Sequence, residues 1–125
     1  VVQGLLGTAG DDWSEIDLPI AADWERRPLR VIDHTLGKPS LTHWRALAQD
    51  ATAQTTRIEL EPITGRTHQL RVHLAAIGHA ILGDGLYADA ATQAQAPRLL
   101  LHASHLAFAH PTTGEQVALE WAADF

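Results

Sequence analysis

The sequence of 125 residues contains no cysteine and no methionine. The absence of cysteine excludes disulfide bonds, thiolate metal ligands and a cysteine nucleophile. No apolar run reaches the roughly 18 residues that a membrane-spanning helix needs, and the first residues lack the basic stretch that opens a secretory signal. We therefore expect a cytoplasmic protein with no membrane partner, and the missing initiator methionine suggests a chain that begins inside a longer one.

Basic residues are also scarce, with nine Lys and Arg against 15 Asp and Glu and a formal net charge of −6. This balance is unusual for a general nucleic-acid binder. The acidic residues crowd the first quarter of the chain, however, whereas Arg57, Arg66 and Arg71 lie in a central stretch with few acids. A local positive patch is therefore compatible with the negative total.

The pattern of polar and apolar residues predicts an α+β fold with mostly antiparallel strands and one main helix. Residues 5–28 are rich in Gly, Asp and Pro and predict a loop with a short extended piece at 16–20. Alternating side chains and turn residues predict the strands, which we place at residues 29–35, 40–49, 52–62, 99–110 and 115–121.

The main helix is expected over residues 67–77, with a second helical piece near 88–96. Thr67 is a suitable N-cap because its hydroxyl can accept from an early helical N–H group, and Gly78 suits a left-handed C-terminal cap. The buried stripe of the helix should consist of Leu70, Leu74 and Ile77. The expected core also includes Trp44, Trp121 and residues 99–101.

Residues 61–74, EPITGRTHQLRVHL, concentrate donors at the junction between a strand and this helix. Arg71 lies about 100° from Leu70 on the helical wheel, next to the buried stripe. An arginine enclosed in this way stays charged and pairs with a carboxylate or a phosphate. One hypothesis is that Arg71 forms a structural salt bridge with Asp84 or Glu61. The other is that Arg71 pairs with a ligand or with a catalytic group.

A metal site and a hydrolase active site are less well supported by the sequence. The chain has eight histidines, but His68 and His73 would lie about 140° apart on a helix, a poor geometry for chelation. Glu59, Glu61 and Asp84 could supply a carboxylate pair for glycoside hydrolysis, although their spacing does not fix their separation. An acidic metal-dependent hydrolase therefore ranks last among the function classes.

Residues 60–74 resemble the signature segment of the RluA-type pseudouridine synthases, which isomerise uridine in RNA. Two further blocks agree in order and spacing, at residues 78–87 and 98–103. The Asp23-Trp24 and Arg27-Pro28 pairs and the C-terminal residues 123–125 are similar to the branch that modifies both a tRNA and a large-subunit rRNA uridine. Ala80 departs from the family, which usually has proline there.

The resemblance implies that residues 1–125 are the C-terminal portion of a pseudouridine synthase catalytic domain. Arg71 matches the family's active-site arginine, while the aspartate and tyrosine segments of the family have no counterpart in these residues. Other residues of these blocks are expected to contact RNA or the active site: Arg66, Thr67, His68, Gln69 and Tyr87. For Tyr87, together with Asp84, the alternative is that it braces the loop after the helix.

The partners implied are RNA and the missing N-terminal part of the same enzyme, and no cofactor is needed. The chain alone is expected to lack activity, because the aspartate that carries the chemistry is missing. The alternative is a non-catalytic RNA-binding or scaffold domain.

Overall fold

The computed structural model describes all 125 residues. The chain forms eight strands, in order β1 Val2–Gln3, β2 Ser14–Asp17, β3 Ile20–Ala22, β4 Arg30–Ile32, β5 Leu41–Asp50, β6 Thr55–Pro62, β7 His105–Ala109 and β8 Gln116–Glu120. It has two helices, α1 Gln69–Ala76 and α2 Ala90–Ala94. Neither helix has the length or the apolar character needed to cross a bilayer.

The strands form three antiparallel sheets, as the α+β prediction expected. The largest has four strands in the order β1-β6-β5-β2, and the β3–β4 and β7–β8 hairpins form the other two. The long β5–β6 hairpin forms the middle of the four-stranded sheet, with Trp44 opposite Leu60 and Arg45 opposite Glu59 in register. Trp44 and Leu60 pack against the core, whereas the side chains of Arg45 and Glu59 form an ion pair 3.0 Å long.

The core lies between this sheet and α1. Its centre is a cluster of four buried side chains: Val2, Ile16, Leu74 and Ile81. Residues 99–101 pack against the cluster, as predicted, but they do so from an irregular segment. Leu74 is fully buried, while Leu70 and Ile77 are only half-buried.

The C-terminal hairpin corrects two predictions. A buried strand over residues 99–110 is wrong, because the strand begins only at His105 and its residues are exposed. The hairpin forms a sheet of its own, and all of its strand residues except the half-buried Val117 are exposed. Trp121, expected in the core, follows β8 and is 60% exposed.

The start of α1 also differs from the prediction. The N-cap is His68, in the left-handed region with φ 57°, and it makes no side-chain capping bond. The predicted N-cap Thr67 is exposed and lies in a turn that the Gln69 N–H closes by donating to the Arg66 carbonyl. The end of the helix is as expected, since Gly78 has φ 85°.

A buried polar network fastens α1 to β5. The Gln69 amide group donates to the Leu41 carbonyl and, over 3.0 Å, to the Thr42 hydroxyl. The Thr42 hydroxyl lies 2.8 Å from Nδ1 of His73, and Nε2 of His73 lies 2.8 Å from the Leu18 carbonyl. Because the carbonyl can only accept, Nε2 carries the proton and Nδ1 accepts from Thr42.

The network explains why polar side chains occupy the inward face of the helix. Gln69, Thr42 and His73 are all buried, and each has its hydrogen-bonding groups paired within the protein. Burial lowers the pKa of His73 and keeps the ring neutral, which this pattern of donors and acceptors requires. The helix is thereby held in one orientation relative to the sheet.

The substitution Thr42→Val should lower the free energy of unfolding by about 1–3 kcal/mol, because valine keeps the shape but leaves Gln69 and His73 with unpaired buried groups. Urea denaturation measures the loss. Thr52→Val, at an exposed turn position, is the matched control and should change stability little. Equal effects of the two substitutions would contradict the role of the network.

Candidate active site

The Arg71–Asp84 ion pair is the centre of the candidate site. Nε and Nη2 of Arg71 donate to the two carboxylate oxygens of Asp84 over 3.1 and 2.6 Å. Asp84 is fully buried, and the Arg71 side chain keeps 18% of its surface exposed. The structural salt bridge considered from the sequence is therefore present, with Asp84 as the partner.

Asp84 is held by its own turn as well as by the arginine. Its Oδ1 accepts the backbone N–H groups of Leu86 and Tyr87. Burial alone would raise the pKa of the carboxyl, but Arg71 and these N–H groups outweigh burial and hold the pKa below its usual value. The carboxylate in turn raises the pKa of Arg71, so both groups stay charged.

Gly83 fixes how this turn meets the rest of the molecule. The residue has φ 76°, and a Cβ there would collide with the backbone carbonyl of Arg98. Only glycine allows the two backbones to approach so closely. The turn that carries Asp84 therefore packs directly against the backbone at Arg98.

His68 and Tyr87 form the second part of the site. Nδ1 of His68 lies 2.7 Å from the Tyr87 hydroxyl, which also accepts the backbone N–H of Arg30. Burial, followed by the charges of Arg71 and Arg30, lowers the pKa of His68 and favours the neutral ring. The Tyr87 hydroxyl can then donate to His68 while it accepts from Arg30.

The guanidinium of Arg71 keeps donors free for a second partner. It lies 5.4 Å from the centre of the Tyr87 ring, which limits its sideways movement. Its Nε and Nη2 donate to Asp84, whereas Nη1 has no hydrogen-bond partner within the protein. The arginine is thus positioned by one buried carboxylate and can still bind another anion at the surface.

The other predicted site residues divide into two groups. Arg66 and Thr67 are exposed and line a second cavity, where Arg66 also donates to the Pro39 carbonyl. Gln69 lies inside the protein, where its Oε1 accepts from the Thr64 hydroxyl and the Arg66 N–H. Gln69 has no group left to contact a ligand, so its part is to shape the loop that carries Arg66.

Sequence reasoning missed Arg30, whose backbone N–H completes the hydrogen bonds of Tyr87. Arg30 lies 57 residues before Tyr87, so no pattern in the neighbouring sequence indicates that the two residues are in contact. The carboxylates considered for hydrolysis do not form a pair, since Glu59 binds Arg45 and Asp84 binds Arg71. No three His, Asp or Glu side chains converge in a way that could hold a metal ion.

The sequence of this site can be compared with known families. Residues 9–76, just over half of the chain, match the family model described as RNA pseudouridylate synthase. The chain belongs to the RNA pseudouridylate synthase family. The resemblance noted from the motif at residues 60–74 is thereby confirmed, and Arg71 lies within the matched region.

Curated members of the family are similar to most of this chain. The dual-specificity RNA pseudouridine synthase RluA of Pasteurella multocida is 50% identical over 87% of this chain and 49% of its own length. The RluA proteins of Haemophilus influenzae and Escherichia coli K12 are 43% and 46% identical, over 95% and 88% of this chain. The chain spans about half the length of these relatives.

The fold agrees with that of solved structures. Human RNA pseudouridylate synthase domain containing 1 has a TM-score of 0.79 and 32% identity, over 99% of this chain and 52% of that one. Human RNA pseudouridylate synthase domain containing 4, at 24% identity and a TM-score of 0.64, supports the fold alone. The mostly antiparallel α+β arrangement is therefore that of pseudouridylate synthase domains.

The substitution Asp84→Asn should lower the free energy of unfolding by about 3–5 kcal/mol, because it leaves the mostly enclosed Arg71 without a counter-charge. Asp124→Asn is the matched control: Asp124 also pairs with an arginine, Arg98, but is 78% exposed. Such an exposed pair contributes little. Urea denaturation of both variants checks the prediction, which an equally small effect of Asp84→Asn would contradict.

Proposed function

We propose that this chain is the C-terminal portion of the catalytic domain of an RNA pseudouridine synthase and supplies the active-site arginine, Arg71. The main support for the proposal is the geometry of the Arg71 side chain in a member of this family. Arg71 is fixed by a buried carboxylate, is partly exposed and keeps Nη1 free. A positioned arginine with free donors is what a neighbouring anionic group requires.

The chemistry of uridine isomerisation explains the value of such an arginine. The base must leave its stack, its glycosidic bond must break, and C5 must join the ribose in place of N1. In the family an aspartate acts in these steps and must be ionised in a closed pocket. An arginine within about 4 Å lowers the pKa of such an aspartate, with each unit equal to about 1.4 kcal/mol. We assign this part to Arg71, with the aspartate contributed by the N-terminal part of the enzyme.

An apolar cavity supports the proposal that the rest of the domain packs on this chain. The cavity has a volume of about 990 Å³ and lies between β6, α1 and the segment that leads into β7. Most of its lining is hydrophobic, including Leu47, Leu70 and Leu101. Leu47 is 46% exposed, and an apolar surface of this kind commonly marks an interaction site. The N-terminal part of the enzyme is the partner that we propose for it.

The substrate proposal rests on the relatives. The RluA proteins are named as dual-specificity RNA pseudouridine synthases, and we propose that the intact enzyme likewise modifies uridine in tRNA, large-subunit rRNA or both. Arg66, Thr67, His68 and Tyr87 are proposed to contact RNA or to border the active site. The reaction requires no cofactor in this proposal.

Release of tritium from RNA that carries 5-tritiated uridine tests the proposed function. The full-length enzyme should release tritium, and residues 1–125 alone should not, because the aspartate is supplied elsewhere. Release by the short chain would overturn the assignment of the catalytic group. Release by neither protein, with both tRNA and rRNA supplied, would favour a non-catalytic RNA-binding domain.

In the full-length enzyme, Arg71→Ala should reduce tritium release by at least about a hundredfold, as expected for the loss of an electrostatic catalytic group, with only a modest loss of RNA binding. Arg45→Ala is a matched control, since Arg45 also pairs with a carboxylate but lies on the β5–β6 hairpin. Arg45→Ala should leave tritium release nearly unchanged. Near-normal release by Arg71→Ala would contradict the role of Arg71.

A further inference from the structure

A second cavity lies beside the candidate active site and concentrates positive charge. Its volume is about 580 Å³, and it lies between the β3–β4 hairpin and the loop at residues 65–67. Arg30, Lys38 and Arg66 line it, together with a single acid, Asp33. The Asp33 carboxylate accepts hydrogen bonds from the backbone N–H groups of Thr35 and Leu36 and so stabilises the turn in which it lies. In a chain with a net charge of −6, this is a local excess of cations.

An exposed tryptophan borders the same cavity. Trp24 lies in the loop between β3 and β4 and leaves 70% of its surface exposed. The Arg27 guanidinium lies 5.0 Å from the centre of the ring and covers one part of it. Most of the ring is therefore in contact with solvent. An exposed aromatic ring among cations is the usual platform on which a nucleic-acid base stacks.

Arg30 connects this cavity to Tyr87 in the candidate active site. Its side chain lines the cavity, and its Nε is buried without a hydrogen-bond partner. Its backbone N–H donates to the Tyr87 hydroxyl, which in turn bonds to His68. Arg30 therefore belongs both to the lining of this cavity and to the hydrogen bonds of Tyr87 in the candidate site.

We propose that this cavity binds the RNA nucleotides that adjoin the target uridine, with one base stacked on Trp24 and the phosphates bound by Lys38, Arg66 and Arg30. The inference rests on the proposed function and adds a substrate-binding surface to it. The volume lies within the roughly 300–1,000 Å³ of pockets for small ligands, which suits one nucleotide. Lys38 forms no ion pair within the protein, so its charge is free for a phosphate.

The experiment measures binding and turnover separately in the full-length enzyme. Fluorescence anisotropy with a labelled RNA stem-loop that carries uridine in its loop gives the dissociation constant, and single-turnover tritium release at saturating RNA gives the rate. Trp24→Ala should weaken binding by about fivefold to a hundredfold, the range for one stacked base, with the saturating rate little changed. Trp24→Phe should retain most of the affinity, because it keeps an aromatic face.

The contribution of the Lys38 charge to RNA binding is tested by measuring how Kd depends on salt concentration. Lys38→Ala should reduce the slope of log Kd against log salt concentration by about 0.7, as expected when one phosphate contact to a single strand is lost. Trp121→Ala and Arg98→Ala are matched controls. Trp121 is 60% exposed and the Arg98 side chain is 50% exposed, and neither residue lines the cavity. Both control variants should bind RNA like the unchanged enzyme.

The outcomes separate this inference from the proposed function. If Trp24→Ala and Lys38→Ala bind RNA as tightly as the unchanged enzyme, with the same salt slope, the cavity is not a binding surface, even if isomerisation is normal. If these variants bind weakly but the unchanged enzyme does not isomerise uridine, the surface stands and the enzymatic proposal fails. An enzyme that binds neither tRNA nor rRNA stem-loops would overturn the inference as well.

Discussion

The ion pair between Arg71 and Asp84 is the constraint on which the candidate site depends. A carboxylate as deeply buried as Asp84 would cost several kcal/mol in lost hydration if it were unpaired. Arg71 offsets that cost only when α1 and the turn at residue 84 keep a fixed distance. The same turn carries Tyr87, so the position of the ring that limits Arg71 follows from the pair itself. Helix, turn and aromatic ring form one unit.

The motif at the start of α1 divides its polar residues between two tasks. Gln69 and His73 face inward and use their hydrogen bonds on β5 and the Leu18 carbonyl. His68 and Arg71 face the site. The backbone of His68 is in the left-handed region, a conformation that commonly costs a non-glycine residue about 1–3 kcal/mol of stability. The inward bonds hold the helix firmly enough for its outward residues to keep this geometry.

The sequence allowed the β5–β6 hairpin, the end of α1 and the enclosed character of Arg71 to be predicted, because alternation, a terminal glycine and helical position are local signals. It did not reveal the part played by Gln69. A polar residue in a helix is expected to face solvent, and the groups that bury it, Leu41 and Thr42, lie 28 and 27 residues away. Trp121 was misplaced for a related reason, since alternation in a strand does not tell which face, if either, meets the core.

The contact made by Gly83 has a consequence for how the molecule tolerates change. Because a side chain at this position would push against the Arg98 backbone, the turn that holds Asp84 and the segment that leads into the C-terminal hairpin must move together. Leu100 in that segment also donates its N–H to the Leu82 carbonyl. Insertions, deletions or grafted loops near residue 98 would therefore be transmitted to the arginine, although they lie far from it in the sequence.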